Sequence, residues 1–184
     1  MGRTLVYLGT FVIAFSALAL EVTLVRLLSV VTWYHLAFFA ISTAILGMTA
    51  GATRVYLQPR KFGGEGLSGE VARSCLYFAL VIPVSLTSLC MLPLELYGSV
   101  MSVIALFVAT IACSLPYFFS GTVITAVLTK YPMPIGKLYA SDLLGGSLGC
   151  LFVLAGLEFL DAPSLILLCG AGGMLAALCF ARHG

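Results

Sequence analysis

Two opposite charges stand inside an apolar run near the start of the chain, ALALEVTLVRLLSVV at 17–31, namely Glu21 and Arg26. A buried carboxylate could bind a proton or a cation, or, when neutral, donate a hydrogen bond to another helix. Five residues turn a helix by about 140°, so the two side chains face different directions and form a poor intrahelical ion pair. We therefore expect Glu21 to take a partner from another helix, His35 or a hydroxyl such as Thr43, and Arg26 to anchor at an interface.

A second carboxylate, Asp142, stands early in another apolar segment, close to Tyr139. Its position could complement a helix dipole, or it could form a polar lining together with Tyr139 and Ser141. We expect Glu21 and Asp142 at different depths, and so not as a carboxylate pair. No Ser-His-Asp, Cys-His or HExxH arrangement is present, and the six cysteines contain no CxxC pair. The sequence therefore predicts no catalytic site, cofactor site or metal site.

The elements that carry these residues belong in a lipid bilayer. Of the 184 residues, 61% are hydrophobic and only 9% are charged, and the mean hydropathy is +1.15. Soluble domains are about 25% charged, and a chain of this size cannot hide so much apolar surface in one core. The net charge of +2 and the lack of a basic patch interleaved with aromatics argue against nucleic-acid binding.

Apolar segments of about 20 residues predict six transmembrane helices in one all-α, polytopic domain covering residues 1–184. Their expected bounds are 5–32, 35–57, 75–92, 98–128, 138–160 and 163–181, with a polar loop at 58–74. The fourth segment is too long for one straight crossing. We expect either a kink at Pro116 and Gly121, or a turn at about residue 116 after which the helix follows the membrane interface.

Basic residues set the predicted orientation. Alternate helix ends and the 58–74 loop hold eight of the nine lysines and arginines: Arg3, Arg54, Arg60, Lys61, Arg73, Lys130, Lys137 and Arg182. The opposite loops hold none of them. The positive-inside rule therefore predicts a multi-pass protein of the cytoplasmic (inner) membrane with both termini in the cytoplasm.

Glycines recur at matching places in the second and fifth segments. The second contains Gly47 and Gly51, and the fifth contains Gly145, Gly146 and Gly149. Such spacing favours close packing between helices. Each segment is also the middle helix of a three-helix half, so the same echo could indicate inverted repeats of the kind found in transporters.

Three passages together resemble the membrane domain of multi-pass spermidine synthase-like proteins. They are ALEVTLVRLLSV, FFAISTAILGMTAGA, and LPYFFSGTVITAVL followed by IGKLYASDLLGGSLGCLFVLAGLEFL. In that family a helical membrane region precedes a cytoplasmic Rossmann-type aminopropyltransferase domain. This chain has no strand followed by a glycine-rich turn and a helix, so the catalytic chemistry of the family cannot be assigned to any residue present. The resemblance implies the membrane piece of a longer protein or a stand-alone version.

Two functions follow as expectations. The first is a non-catalytic membrane domain that anchors, and could supply substrate to, a cytoplasmic aminopropyltransferase domain or partner. The second is a small transporter, as a homodimer, for polyamines or other organic cations, in which Glu21 and Asp142 supply the negative charge. A helix-packing scaffold without a ligand is a third reading.

Overall fold

Six long helices dominate the computed structural model, which describes residues 2–31, 37–91 and 100–183. They are α1 (Gly2–Val31), α2 (Ala37–Leu57), α3 (Leu67–Met91), α4 (Val100–Lys130), α5 (Ile135–Phe159) and α6 (Ala162–Ala181). All six are long and apolar enough to cross a membrane, and the described residues contain no strand. The prediction of an all-α, polytopic membrane bundle is confirmed.

The largest difference from the predicted bounds is the start of α3. This helix begins at Leu67, after a short 3-10 turn at Gly64–Gly66, so the predicted loop at 58–74 is shorter than expected. The first turns of α3 are amphipathic: Leu67 and Val71 are buried, and Arg73 forms an ion pair of 2.8 Å with Glu70. A search for apolar runs misses such a start because its outer face is polar.

The helix α4 runs without interruption from Val100 to Lys130 and contains Pro116. Its second half lies inside the bundle, since Tyr117, Gly121 and Val127 are all buried. The alternative in which the chain turns along the interface at about residue 116 is therefore wrong. A kink at Pro116 and Gly121 stays a prediction.

A hydrogen bond from α3 compensates for the proline in α4. Pro116 has no N–H to donate to the carbonyl of Ala112, one turn earlier in the helix. The hydroxyl of Ser85 donates to that carbonyl oxygen instead, at 2.6 Å. Because lipid offers no hydrogen bond, this contact explains how a proline is accommodated at this depth.

Contacts between α1 and α5, and between α2 and α4, show that each pair runs parallel. Along α1 and α5 the contact positions increase together, from Tyr7–Ser141 through Phe11–Gly145 to Phe15–Gly149. Along α2 and α4 the contacts pass from Gly47–Ser114 to Gly51–Phe118.

The remaining contacts are antiparallel. Ser85 meets Ala112 and Tyr77 meets Phe119 between α3 and α4. Between α1 and α6, Gly9 meets Phe180 and Ser16 meets Gly172, while between α3 and α6, Phe78 meets Gly173 and Ala79 meets Gly170. Hence α1, α3 and α5 run one way across the bundle, and α2, α4 and α6 run the other way.

The six helices form two interlocked halves, α1–α3 and α4–α6, with equivalent packing. The α1–α5 contact between the halves corresponds to the α4–α2 contact between them, and the α1–α6 contact corresponds to α4–α3. Individual contacts match as well. The Gly145–Phe11 contact is equivalent to Gly47–Ser114, and the Gly149–Phe15 contact is equivalent to Gly51–Phe118. Since equivalent helices run in opposite directions, the halves are inverted repeats.

The ends of the bundle differ in charge. The start of α1, α3 and α5 and the end of α2, α4 and α6 lie on one side, which we call the basic face. It carries Arg3, Arg54, Arg60, Lys61, Arg73, Lys130, Lys137 and Arg182. Between the two ends, large apolar side chains such as Phe107, Leu151 and Leu175 are exposed, as expected for a surface in contact with lipid.

Candidate functional site

Glycines bring the backbones of the parallel helix pairs into direct contact. A Cβ on Gly47 or Gly51 would collide with a backbone carbonyl oxygen of α4, and one on Gly145 or Gly149 would collide with a carbonyl oxygen of α1. These two glycine contacts, α2 with α4 and α5 with α1, we call the seams. Because the two helix pairs are equivalent in the inverted repeats, close packing and the repeat explain the same four glycines.

Next to each seam a large residue packs over a glycine. In the α2–α4 pair the glycine is on α4, whereas in the α5–α1 pair it is on α5, so the large and small residues are exchanged between equivalent helices. Met48 of α2 lies over Gly121 of α4, where a Cβ would come 2.6 Å from the Met48 carbonyl oxygen. At the equivalent place Leu18 of α1 lies over Gly146 of α5, 3.2 Å from the position of a Cβ. Gly121 thus has a packing role between α2 and α4.

A cavity of about 280 Å³ lies between the two parallel pairs, and we call it the central cavity. All four helices contribute to its wall, including Ala14, Ala17, Met48, Ile124, Asp142 and Ser147. Its volume is close to the lower end of the range for small-molecule sites. It lies where the inverted repeats meet.

Among the described residues, Asp142 is the one charged side chain in the wall of the central cavity. It is partly buried, and it forms no hydrogen bond or ion pair with any residue in the described ranges. Its position seven residues into α5 places it about 10 Å along the helix from the basic face. An unpaired carboxylate at such a place has a strong tendency to take up a proton or a cation.

The other two residues of the predicted polar lining have different surroundings. The hydroxyl of Ser141 donates to the Tyr7 carbonyl oxygen on α1, at 2.6 Å, and so joins two helices. Tyr139 is 52% exposed and does not line the central cavity. The structure therefore brings Asp142 alone of these three residues to the cavity.

Glu21 lies one turn beyond Ala17 on the face of α1 that carries Ala14 and Ala17. Asp142 is level with the stretch from Tyr7 to Phe11, judged by the contacts of its neighbours. Glu21 is ten or more residues further along α1, which corresponds to about 15 Å. The two carboxylates are thus separated in depth, and Glu21 lies towards the end of the bundle opposite the basic face.

Tyr117 of α4 lies within range of an electrostatic interaction with Glu21. Tyr117 is 1% exposed, and its hydroxyl has no hydrogen-bond partner among the described residues. The expected alternatives differ: Thr43 donates to the carbonyl of Ala40 in its own helix, and His35 lies outside the described residues. A buried phenol without a hydrogen-bond partner, within electrostatic range of a carboxylate, marks a polar position in the interior.

Arg26 is exposed near the end of α1 that lies away from the basic face. It forms no ion pair with the acidic residues that the structure describes, including Glu158 and Asp161 at the same end. Its role as an interfacial anchor stays a prediction.

Sequence reasoning missed Tyr117 and Ser85. Tyr117 belongs to an aromatic run, YFF, in which nothing distinguishes the buried ring from those facing outward. Ser85 could have been suspected as a hydroxyl donor for the carbonyl that Pro116 leaves free, but choosing it among many serines requires knowledge of the α3–α4 register. No family model matches the chain, and comparisons with curated proteins and with solved structures found no match.

Proposed function

We propose that this protein binds small organic cations, polyamines among them, in the central cavity and moves them across the membrane. The observation that carries the proposal is the unpaired carboxylate of Asp142 in a cavity between inverted repeats. A bound ammonium group would supply the missing partner of this carboxylate. The largely apolar remainder of the wall suits the methylene segments of a polyamine chain.

The two parallel pairs, α1 with α5 and α2 with α4, are the units that would move. Backbone contact at the glycines holds each pair together, whereas the pairs contact each other less extensively around the cavity. Rocking of one pair against the other would open the cavity to either side in turn, as in alternating access. Glu21 would be the second polar position along the path.

The basic face, by the positive-inside rule, lies in the cytoplasm, and the membrane is the cytoplasmic one. Asp142 is then the first carboxylate reached from the cytoplasm, and Glu21 lies towards the outer leaflet. Helices of a single chain line the central cavity, so each subunit of a homodimer would hold a cavity of its own.

Uptake of labelled spermidine into proteoliposomes tests the proposal. We expect saturable uptake by the wild type and a loss of at least tenfold in Asp142→Asn. The matched control is Glu158→Gln, which neutralises an exposed carboxylate at the far end of the same helix and should retain wild-type flux. Absence of uptake and of binding for both spermidine and putrescine would rule the proposal out.

A separate measurement addresses Glu21. If Glu21→Gln transports spermidine at the wild-type rate while Asp142→Asn does not, the path does not use Glu21. A loss of flux with retained binding would instead place Glu21 in translocation beyond the first binding site.

A second function, anchoring of a cytoplasmic aminopropyltransferase, is favoured by a different observation. Both ends of the described chain and eight basic residues lie on the basic face, where a synthase domain or partner would be attached. We expect a soluble spermidine synthase to bind vesicles containing the chain and to lose this binding in Lys61→Glu/Lys130→Glu. Aminopropyltransferase activity of the isolated chain, or unchanged binding in the double variant, would contradict this role.

A further inference from the structure

A second cavity, of about 300 Å³, lies at the lipid-facing side of α1 between α5 and α6, and we call it the lateral cavity. It exists because α5 and α6 each pack on α1 but scarcely contact each other. Three aromatic rings, of Phe11, Phe15 and Phe152, form much of its wall, and the rings of Phe15 and Phe152 are 5.2 Å apart. It is separate from the central cavity and does not include Asp142.

The lateral cavity breaks the symmetry between the two halves. At the equivalent place in the other half, the rings of Tyr77 on α3 and Phe119 on α4 pack together at 5.3 Å. The corresponding positions in the lateral cavity are Gly172 on α6 and Ser16 on α1, which are in contact with each other. Replacement of two rings by a glycine and a serine accounts for the open space.

Ser16 provides a polar group inside this apolar wall. Its side chain is 1% exposed, and its hydroxyl has no hydrogen-bond partner among the described residues. Other hydroxyls on α1 behave differently: Thr10 and Thr23 donate to the carbonyls of Val6 and Ala19, at 2.8 and 2.7 Å. The hydroxyl oxygen lies against Gly172 at the wall of the lateral cavity, and it lacks a hydrogen bond that a ligand in the cavity would supply once the side chain turns towards it.

The depth of Ser16 restricts the kind of ligand. Ser16 stands at the middle of α1, about 21 Å from the start of the helix at Gly2. The ester oxygens of phospholipids lie near the two interfaces, roughly 15 Å from the centre of the hydrocarbon core. An acceptor for the Ser16 hydroxyl must therefore belong to a molecule that carries its oxygen into the middle of the membrane.

We propose that the lateral cavity binds the ring of a prenylated quinone dissolved in the membrane. A ring carbonyl accepts the hydrogen bond of Ser16, the flat ring packs against Phe11, Phe15 and Phe152, and the prenyl chain extends between α5 and α6 into the lipid. Aromatic pairs of this kind add to the energy of apolar burial.

Equilibrium binding of decylubiquinone to the full chain in nanodiscs tests this site, with empty nanodiscs to subtract partitioning into lipid. We expect saturable binding by the wild type and about fivefold weaker binding by Ser16→Ala, the effect of one neutral hydrogen bond. Ser16→Phe/Gly172→Tyr, which places the rings of the other half in the cavity, should abolish binding. Tyr77→Phe is the matched control and should leave binding unchanged.

A second filling variant keeps the test decisive if the double variant fails to fold. Leu168 lines the lateral cavity from its rim and is 47% exposed, so Leu168→Trp adds a ring without disturbing the contact between Ser16 and Gly172. Loss of binding in this variant supports the site. Unchanged binding in both filling variants, or equal saturable binding of dodecanol in place of the quinone, would overturn the proposal. Spermidine uptake should be unaffected by Leu168→Trp, which separates this site from the central cavity.

Discussion

Replacement of Ser85 by alanine should leave a backbone carbonyl of α4 without a hydrogen bond inside the membrane. The carbonyl belongs to Ala112, whose ordinary helical donor is missing because residue 116 is proline. The Ser85 hydroxyl, 2.6 Å away, is the donor that replaces it. Ser85 is 8% exposed, so water has little access to the vacated position.

The expected cost is larger than for a typical hydrogen bond between membrane helices. Such bonds contribute about 0.6 kcal/mol on average, because their partners find substitutes when the bond is lost. The carbonyl of Ala112 lacks its ordinary helical donor, and a buried acceptor without a partner costs about 1–3 kcal/mol. We therefore expect Ser85→Ala to lower the free energy of unfolding by about 2 kcal/mol.

A double-mutant cycle with Pro116→Ala tests the cause. Alanine at 116 restores the backbone N–H, so Ser85→Ala in that background should cost no more than the typical 0.6 kcal/mol. Unfolding in mixed micelles by titration with dodecyl sulfate, followed by circular dichroism, gives the four free energies. The matched control is Ser88→Ala, since Ser88 donates only to Val84 in its own helix and should be nearly neutral. An equal cost of Ser85→Ala in both backgrounds would show that Pro116 is not the reason for that cost.

Two other predictions concern the glycine contacts and the loop between α5 and α6. Gly51→Ala and Gly149→Ala should each destabilise the bundle by about 1–3 kcal/mol, because the new methyl group meets a carbonyl of the partner helix. The control Gly136→Ala, whose methyl group meets no other atom, should stabilise α5. Equal effects in all three variants would contradict this packing. The hydrogen bond from Ser164 lowers the pKa of Asp161 from its ordinary value of 3.8. The ionised carboxylate of Asp161 therefore stabilises the folded state above pH 3.8. This contribution is lost as the pH falls through the lowered pKa of the folded state. The difference in Tm between the wild type and Asp161→Asn should therefore shrink on acidification from pH 6 to pH 3, and a constant difference would disprove the linkage.

Local apolar composition was enough to predict the six helices, because each crossing must satisfy its backbone hydrogen bonds within itself. It was not enough for the start of α3, where Leu67 and Val71 are buried on one face only. A window of average hydropathy responds to the whole circumference of a helix, so an amphipathic turn outside the span is counted as loop.

The candidate site was predictable only in part. Asp142 could be named because a charge in an apolar segment is rare, and Gly47, Gly51, Gly145 and Gly149 because their spacing is repeated. The central cavity could not be predicted, since it depends on which helices are neighbours, and α1 packs on α5 and α6 rather than mainly on α2. Hydropathy carries no information on such pairing, because every helix presents an apolar surface to lipid and protein alike.

The interlocked halves bear on how the chain assembles during synthesis. The main partner of α2 is α4, and the main partners of α1 are α5 and α6, so the first three helices enter the membrane before the helices that will cover them exist. Until α4 is present, Gly47 and Gly51 lack the helix whose backbone they contact. Association of the bundle is then a late event, coupled to the arrival of α4 and completed by α5 and α6.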